Sequence, residues 1–342
     1  MAMDTRIDVA LYSLVDTTLI PHTTFQRAYD RIEQCFAAME QSTDPVGLAI
    51  LGESRTGKSR VLEHFELSHQ TFRNSEGIVA PFLRIRVPSK PTVKGLCELL
   101  LHKLGDPLFE KGTEITKTLR LIKLLTQAQT RILALDEFQH FYDKTTHQVQ
   151  HHVSDWLKVL VDEAQIGLVV TGLPSCVSII QQNEQLNGRF MAPVRLFRFD
   201  WMIEKQRDDF VGILDGMRQA LSAFELPDLA SEPMAFRCYC ATGGLIGYLA
   251  KVLKQAVWNA LGANTMKISL AALAAAYQEA VVSDRPELKG LPNPFTVEFR
   301  TVLDPALLAL VRIVGTPKLE DAPPPRRRST PAPKAADVLS AS

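Results

Sequence analysis

Long apolar runs are missing from the 342-residue sequence, and nothing in it approaches the roughly eighteen uninterrupted apolar residues of a membrane span. Met1 to Ile20 carries acids and polar residues where a signal peptide needs an apolar centre, so a cytoplasmic protein with no membrane partner is expected. An excess of either charge is missing too, with 38 Lys and Arg against 38 Asp and Glu. That balance excludes attraction to nucleic acid or an anionic membrane through bulk charge, and any such contact must come from local basic patches. Cysteine is sparse: Cys35, Cys97, Cys176, Cys238 and Cys240 are an odd, scattered set without a C-x-x-C pair. A disulfide framework and a cysteine zinc site are thereby excluded, and reduced packing thiols are expected. What is present is a globular composition, 46% hydrophobic and 22% charged, in a length that suggests about two domains.

Phe25, Tyr29, Ile32, Phe36 and Met39 recur at helical spacing after Thr23-Thr24, and Asp44-Pro45 breaks the helix they predict. Five short apolar runs follow, at Val46 to Leu51, Ile78 to Val87, Ile132 to Leu135, Ile166 to Val170 and Val194 to Phe199. Their β-branched and aromatic content predicts strands, and the helical patterns between them predict an α/β domain whose parallel sheet is covered on both faces. Between the third and fourth runs, Val149, Val153, Trp156, Leu157, Leu160 and Val161 form one helical stripe. From about Trp201 the strand signals nearly stop, and helices are expected around Phe210 to Phe224, Leu245 to Leu261 and Leu270 to Val282. The expected division is an N-terminal helical extension over 1–44, a nucleotide-binding α/β domain over 45–200, a helical lid over 201–285 and a C-terminal extension over 286–316. A Pro- and Arg-bearing tail over 317–342, containing Arg326-Arg327-Arg328, is expected to be disordered.

Gly52-Glu53-Ser54-Arg55-Thr56-Gly57-Lys58-Ser59 satisfies the phosphate-loop pattern G-x-x-x-x-G-K-[ST], between a predicted strand and a predicted helix. Glycines let the backbone wrap so that its N–H groups meet phosphate oxygens. Lys58 then reaches the β/γ-phosphates, and Ser59 ligates Mg²⁺. Some eighty residues on, Leu135-Asp136-Glu137 delivers two acids at a strand end. Asp136 can hold Mg²⁺ through its water shell, and Glu137 can polarise a water against the γ-phosphate, which favours ATP hydrolysis over phosphate transfer to a small acceptor. Thr171 closes the next strand, where its hydroxyl can orient that water. Arg189 precedes the fifth strand and can reach a neighbouring subunit's γ-phosphate, whereas Arg195 and Arg198 lie on or beside the strand and are less able to reach out. His147, His151 and His152 crowd one stretch, but with no completing carboxylate or cysteine they read as the polar face of a helix.

Taken together, these stretches resemble the AAA+ ATPases, and more narrowly the TniB and TnsC group that serves transposons moved by a DDE-type transposase. Besides the two nucleotide motifs, the resemblance rests on Val87-Pro88-Ser89-Lys90-Pro91, Thr171-Gly172-Leu173-Pro174, Asn183 to Phe190 and Gly243-Gly244-Leu245-Ile246-Gly247. It implies an AAA+ P-loop NTPase with a five-stranded parallel sheet and a C-terminal helical lid, using ATP and Mg²⁺. Arg189 would be the arginine finger. The group often has a basic residue just after the glycine run, where this chain has Tyr248; Lys251, one helical turn on, is the candidate substitute. The resemblance further implies a homo-oligomer, ring or helical filament, formed on double-stranded DNA in the ATP state. That oligomer would receive a TniQ-like target-selection protein, engage the transposase and come apart on hydrolysis. Lys90, Thr92 and Lys94 on a rigid basic turn, with Lys103 further along the helix, are the candidate DNA contacts. A replication initiator or helicase loader, and a signalling scaffold that exchanges nucleotide without hydrolysing it, remain open as alternatives.

Overall fold

A computed structural model describes residues 5–315 except 43, 76, 144–146 and 284, and the tail expected to be disordered from 317 lies outside these described residues. The main sheet has five strands: β1 (Gly47–Leu51), β2 (Phe82–Arg86), β3 (Ile132–Asp136), β4 (Gly167–Gly172) and β5 (Val194–Arg195). They run parallel in the order β2-β3-β4-β1-β5. The helices that position the site are α1 (Thr23–Gln41), α2 (Lys58–Ser68), α3 (Val93–Lys103), α4 (Glu114–Gln127), α5 (His147–Ala164) and α6 (Glu184–Arg189) around the sheet. Beyond them come α7 (Glu204–Ala220), α8 (Glu232–Thr242), α9 (Ile246–Gly262), α10 (Leu270–Tyr277) and α11 (Pro305–Val311) in the helical region.

Every residue of β1, β3 and β4 is buried, as expected of strands covered on both faces. Their side chains alternate between two cores. Leu48, Ile50, Ile132, Ala134 and Val169 pack with the apolar stripe of α1 and with Val61, Leu62 and Phe65 of α2. Ala49, Leu51, Leu133, Leu135, Leu168 and Val170 pack with apolar residues of α3, α4 and α5 on the other face. A third core fills the helical region and takes in Val15 from the start of the chain. Among the described residues, no helix is long and apolar enough to cross a membrane.

Two expected strands differ from the structure. The run Ile78 to Val87 is cut at Pro81, which has no N–H to give to a ladder. Ile78–Val79 pairs antiparallel with Phe72–Arg73, and only Phe82–Arg86 joins the main sheet. The run Val194 to Phe199 keeps two strand residues, paired with Ile50 and Leu51. After Leu196 N–H donates to the Leu51 carbonyl at 2.7 Å the chain leaves the sheet, and Phe199 N–H donates to the Gly244 carbonyl at 2.9 Å in the helical region. Residues 196–199 are therefore a strap from sheet to lid. The helix expected over Leu270 to Val282 ends at Tyr277 and continues as one wider turn over Gln278–Val282.

Candidate functional site

The phosphate loop joins the C-terminal end of β1 to the N-terminus of α2, the place where such a sheet binds ligands. Its two glycines are required for different reasons. Gly57 has φ +96°, and a Cβ there would touch nothing within 4 Å, so backbone conformation alone demands glycine. At Gly52 a Cβ would lie 1.9 Å from the Leu196 carbonyl oxygen, so the close crossing of the strap demands it. Lys58 Nζ donates to the carbonyls of Gly52 at 2.8 Å and Glu53 at 2.6 Å, and Thr56 Oγ1 donates to the same Glu53 carbonyl at 2.9 Å. Burial pulls the Lys58 ammonium below its usual range, opposed by the nearby Glu137 and Asp136 carboxylates.

Asp136 is buried at the end of β3, one strand from the loop-bearing β1 across β4. Its Oδ1 accepts from the Thr171 hydroxyl and, at 2.9 Å, from the Glu137 backbone N–H, while Arg84 Nη1 stands 3.8 Å from Oδ2. Thr171 is fully buried in β4, is not among the residues that line the larger cleft, and donates its hydroxyl to Asp136. Glu137 holds φ +59°, a left-handed conformation uncommon outside glycine. Its carboxylate accepts from Gln139 Nε2 and stands 3.6 Å from Arg86 Nη2. Ser59, Asp136 and Glu137 border a cleft of about 290 Å³, and this hydroxyl and carboxylate set suits a hard divalent cation.

Beside it lies a larger cleft of about 560 Å³, with two contrasting halves. Ser54, Arg55, Gly57, Lys58, Ser59 and Glu137 form the polar half, while Leu19, Ile20, Phe25, Ile213, Met217 and Ile246 form an apolar half fit for a planar base. His22 belongs to the second half. Its ring packs edge-on to Phe199 with centroids 5.1 Å apart, and burial pulls its pKa down to about 4, with Asp209 opposing.

The lid meets the loop directly. Gly247 N–H donates to the Arg55 carbonyl at 2.9 Å, and the guanidinium groups of Arg55 and Arg285 each lie over the buried Tyr248 ring, 4.9 and 5.0 Å from its centroid. On α9 it is Ile246, Gly247 and Ala250 that line the cleft; Lys251 is exposed and is not brought there. Arg189 lies away from its own loop, since Phe190 bridges Gly47 at the start of β1 while the loop follows Leu51 at the end. Its guanidinium pairs with Asp162 at 2.6 Å and Asp44 at 2.9 Å.

Of the basic residues assigned to DNA, Lys90 and Lys94 are exposed at the start of α3. The Thr92 hydroxyl caps that helix by accepting from Gly95 N–H at 3.0 Å. Lys103 is drawn back onto the domain, donating to Glu66 at 2.8 Å and to the Arg84 carbonyl at 2.5 Å, so it does not extend the Lys90 and Lys94 surface. Among the described residues, no group of His, Cys, Asp and Glu forms a further metal cluster. Sequence reading gave no role to Arg84, Arg86 or Gln139, although two arginines at i and i+2, on one face of a strand end, were a usable signal.

The family model described as "Bacterial TniB protein" matches residues 11–201. No curated protein matches the chain. Among solved structures, the Cdc6p of Pyrobaculum aerophilum superposes with a TM-score of 0.58 at 13% identity, covering 82% of this chain and 74% of that one. The ORC2 protein of Aeropyrum pernix, solved as ADPNP and ADP complexes, gives 0.56 at 13% identity over 80% and 74%. The ORC1 protein of the same organism, solved in complex with DNA, gives 0.56 at 16% identity over 82% and 72%. At these identities the likeness establishes the fold, that of an AAA+ P-loop NTPase.

Proposed function

Because the chain belongs to the TniB family and is an AAA+ ATPase, we propose that it assembles on double-stranded DNA in the ATP state and links a TniQ-like target-selection protein to a DDE-type transposase. Hydrolysis then takes the assembly apart. The observation that carries this reading is the tie between a basic turn and the hydrolytic acid. Arg86, at the end of β2, stands beside the Glu137 carboxylate, and in the next residues His140 Nδ1 lies 2.9 Å from the Val87 carbonyl. The exposed Lys90, on the turn that follows, and Lys94, in the first turn of α3, come next, so a DNA backbone gripped there would act on the residues around Glu137.

In this mechanism Lys58 leaves the loop carbonyls for the β/γ-phosphates of ATP, and the apolar half of the cleft takes the base. Ser59 and Asp136 would hold Mg²⁺, which supplies charge neutralisation at the phosphate oxygens. Thr171 and the Glu137 N–H orient Asp136 for that task. Glu137 accepts a proton from the attacking water, and Gln139 and Arg86 set where its carboxylate stands. The likeness to ORC and Cdc6 structures carries fold and not activity, so it does not favour a replication initiator.

The test is DNA affinity at several salt concentrations with a non-hydrolysable ATP analogue. Replacing Lys90 and Lys94 with Ala is expected to weaken binding to all sequences alike and to flatten the salt slope by about two counterions per subunit, with ATP affinity retained. An unchanged affinity and slope would move the DNA path to another surface.

A further inference from the structure

Arg198 lies on the strap that crosses the phosphate loop, and its side chain is only 13% exposed. Its Nε donates to both carboxylate oxygens of Glu53 at 3.0 Å, and Nη2 donates to Oε2 at 2.5 Å. Nη1 faces the opposite way and donates to the carbonyls of Gly243 at 3.4 Å, Arg312 at 2.9 Å and Val314 at 3.2 Å. One guanidinium thus joins the phosphate loop, the turn before α9 and the segment that follows α11. A planar fork of five N–H donors can do this, whereas the three donors of a lysine ammonium radiate from a single point.

Both ends of this connection are well fixed. On the loop side, the Glu53 carbonyl is the acceptor shared by Lys58 and Thr56. The residue whose carboxylate Arg198 grips is therefore the residue whose carbonyl holds the phosphate-binding lysine. On the far side Val311 and Val314 are buried in the helical core. Gly243, at φ +58°, leaves the segment room, since a Cβ there would lie 2.6 Å from the Val311 carbonyl oxygen. Arg312 Nη2 pairs with Asp200 at 2.6 Å, a second tie between this segment and the chain just past the strap.

We propose that Arg198 is a positioning residue for the phosphate loop, and that through Glu53 it conveys to Lys58 whether the segment 305–315 is seated on the lid. Arg198 does not line the nucleotide cleft, and it acts through Glu53. With the segment seated, Arg198 is saturated with acceptors and holds Glu53 in place. With it displaced, two of the three carbonyl partners of Nη1, those of Arg312 and Val314, are lost, the guanidinium is held on that side by Gly243 alone, and the loop loses part of its brace. The inference rests on the nucleotide reading of the cleft, and not on DNA or transposition.

The test uses the full chain with MgATP and MgADP. Arg198→Lys, which keeps the charge and loses the fork, is expected to raise the KM for ATP tenfold or more while kcat at saturating ATP stays within about twofold. Hydrogen exchange on the unaltered protein is the second measurement and needs no variant to fold. Amides of 305–315, outside the cleft, are expected to exchange more slowly when MgADP is added, and Arg198→Lys is expected to abolish that difference. A KM unchanged in Arg198→Lys, or exchange of 305–315 indifferent to nucleotide in the unaltered protein, overturns the proposal. An unaltered protein that binds neither nucleotide overturns the reading of the cleft instead.

Discussion

Glu137 keeps a left-handed backbone at a cost of order 1–3 kcal/mol, and that conformation sets its carboxylate between Gln139 and Arg86 beside the smaller cleft. Glu137→Gln removes the base and leaves the shape. It is expected to bind ATP normally, to lose about 10²–10⁴-fold in turnover and to accumulate the assembled state. Lys58→Ala is expected to abolish ATP binding, and a nucleotide titration run beside a turnover assay separates the two; normal hydrolysis in the Glu137 variant would remove that residue from the mechanism. His22 offers a pH signature. Its folded pKa, about 4, lies below the usual imidazole value of 6.5, so the unfolded chain takes up the proton first. Stability from this group is present above pH 6.5 and is lost as pH falls towards 4. His22→Phe is expected to flatten the pH dependence of the melting temperature over that window; an unchanged curve would assign the dependence to other groups.

At the scale of elements, the loop and the strap explain which glycines matter and how. Gly52→Ala drives a Cβ into a backbone carbonyl that belongs to a strap tied at both ends, whereas Gly57→Ala meets open space and suffers from its dihedral angle alone. The first is expected to cost more than the second, which should stay near the 1–2 kcal/mol of a left-handed alanine. Thermal melting of the two variants ranks them, and the reverse order would mean that the strap gives way. The same elements show what is legible in the sequence. The polar half of the cleft is legible because phosphate chemistry forces Gly52, Gly57, Lys58 and Ser59 into one short, fixed spacing. The apolar half is not, because Leu19, Ile20, Phe25, Ile213, Met217 and Ile246 come from distant parts of the chain and look like ordinary core residues. The sheet is readable from its apolar runs. Its two misread strands turn on Pro81 and on the acceptor that Gly244 offers to Phe199, a tertiary contact without a local signature. On α9 it is Ile246, Gly247 and Ala250, and not Lys251, that line the cleft.

At the scale of the whole molecule, the nucleotide loop and Arg189 sit at opposite ends of β1. A role for Arg189 in hydrolysis must therefore be played in a neighbouring subunit, after release from Asp44 and Asp162. Arg189→Ala is expected to bind ATP and to lack turnover. Mixing it with Lys58→Ala is expected to recover part of the activity at interfaces where an intact arginine meets an intact loop. No recovery at any ratio would make the Asp44 and Asp162 pairs the purpose of Arg189.

That separation along β1 also gives any assembly a direction. If each subunit receives at one end of its sheet and gives at the other, contacts are head to tail, and an open row contains one fewer completed site than it has subunits. The terminal subunit that lacks a donor keeps its ATP longest. Such a row would erode from within or from the opposite tip, while its slow tip stays charged and able to recruit the next copy.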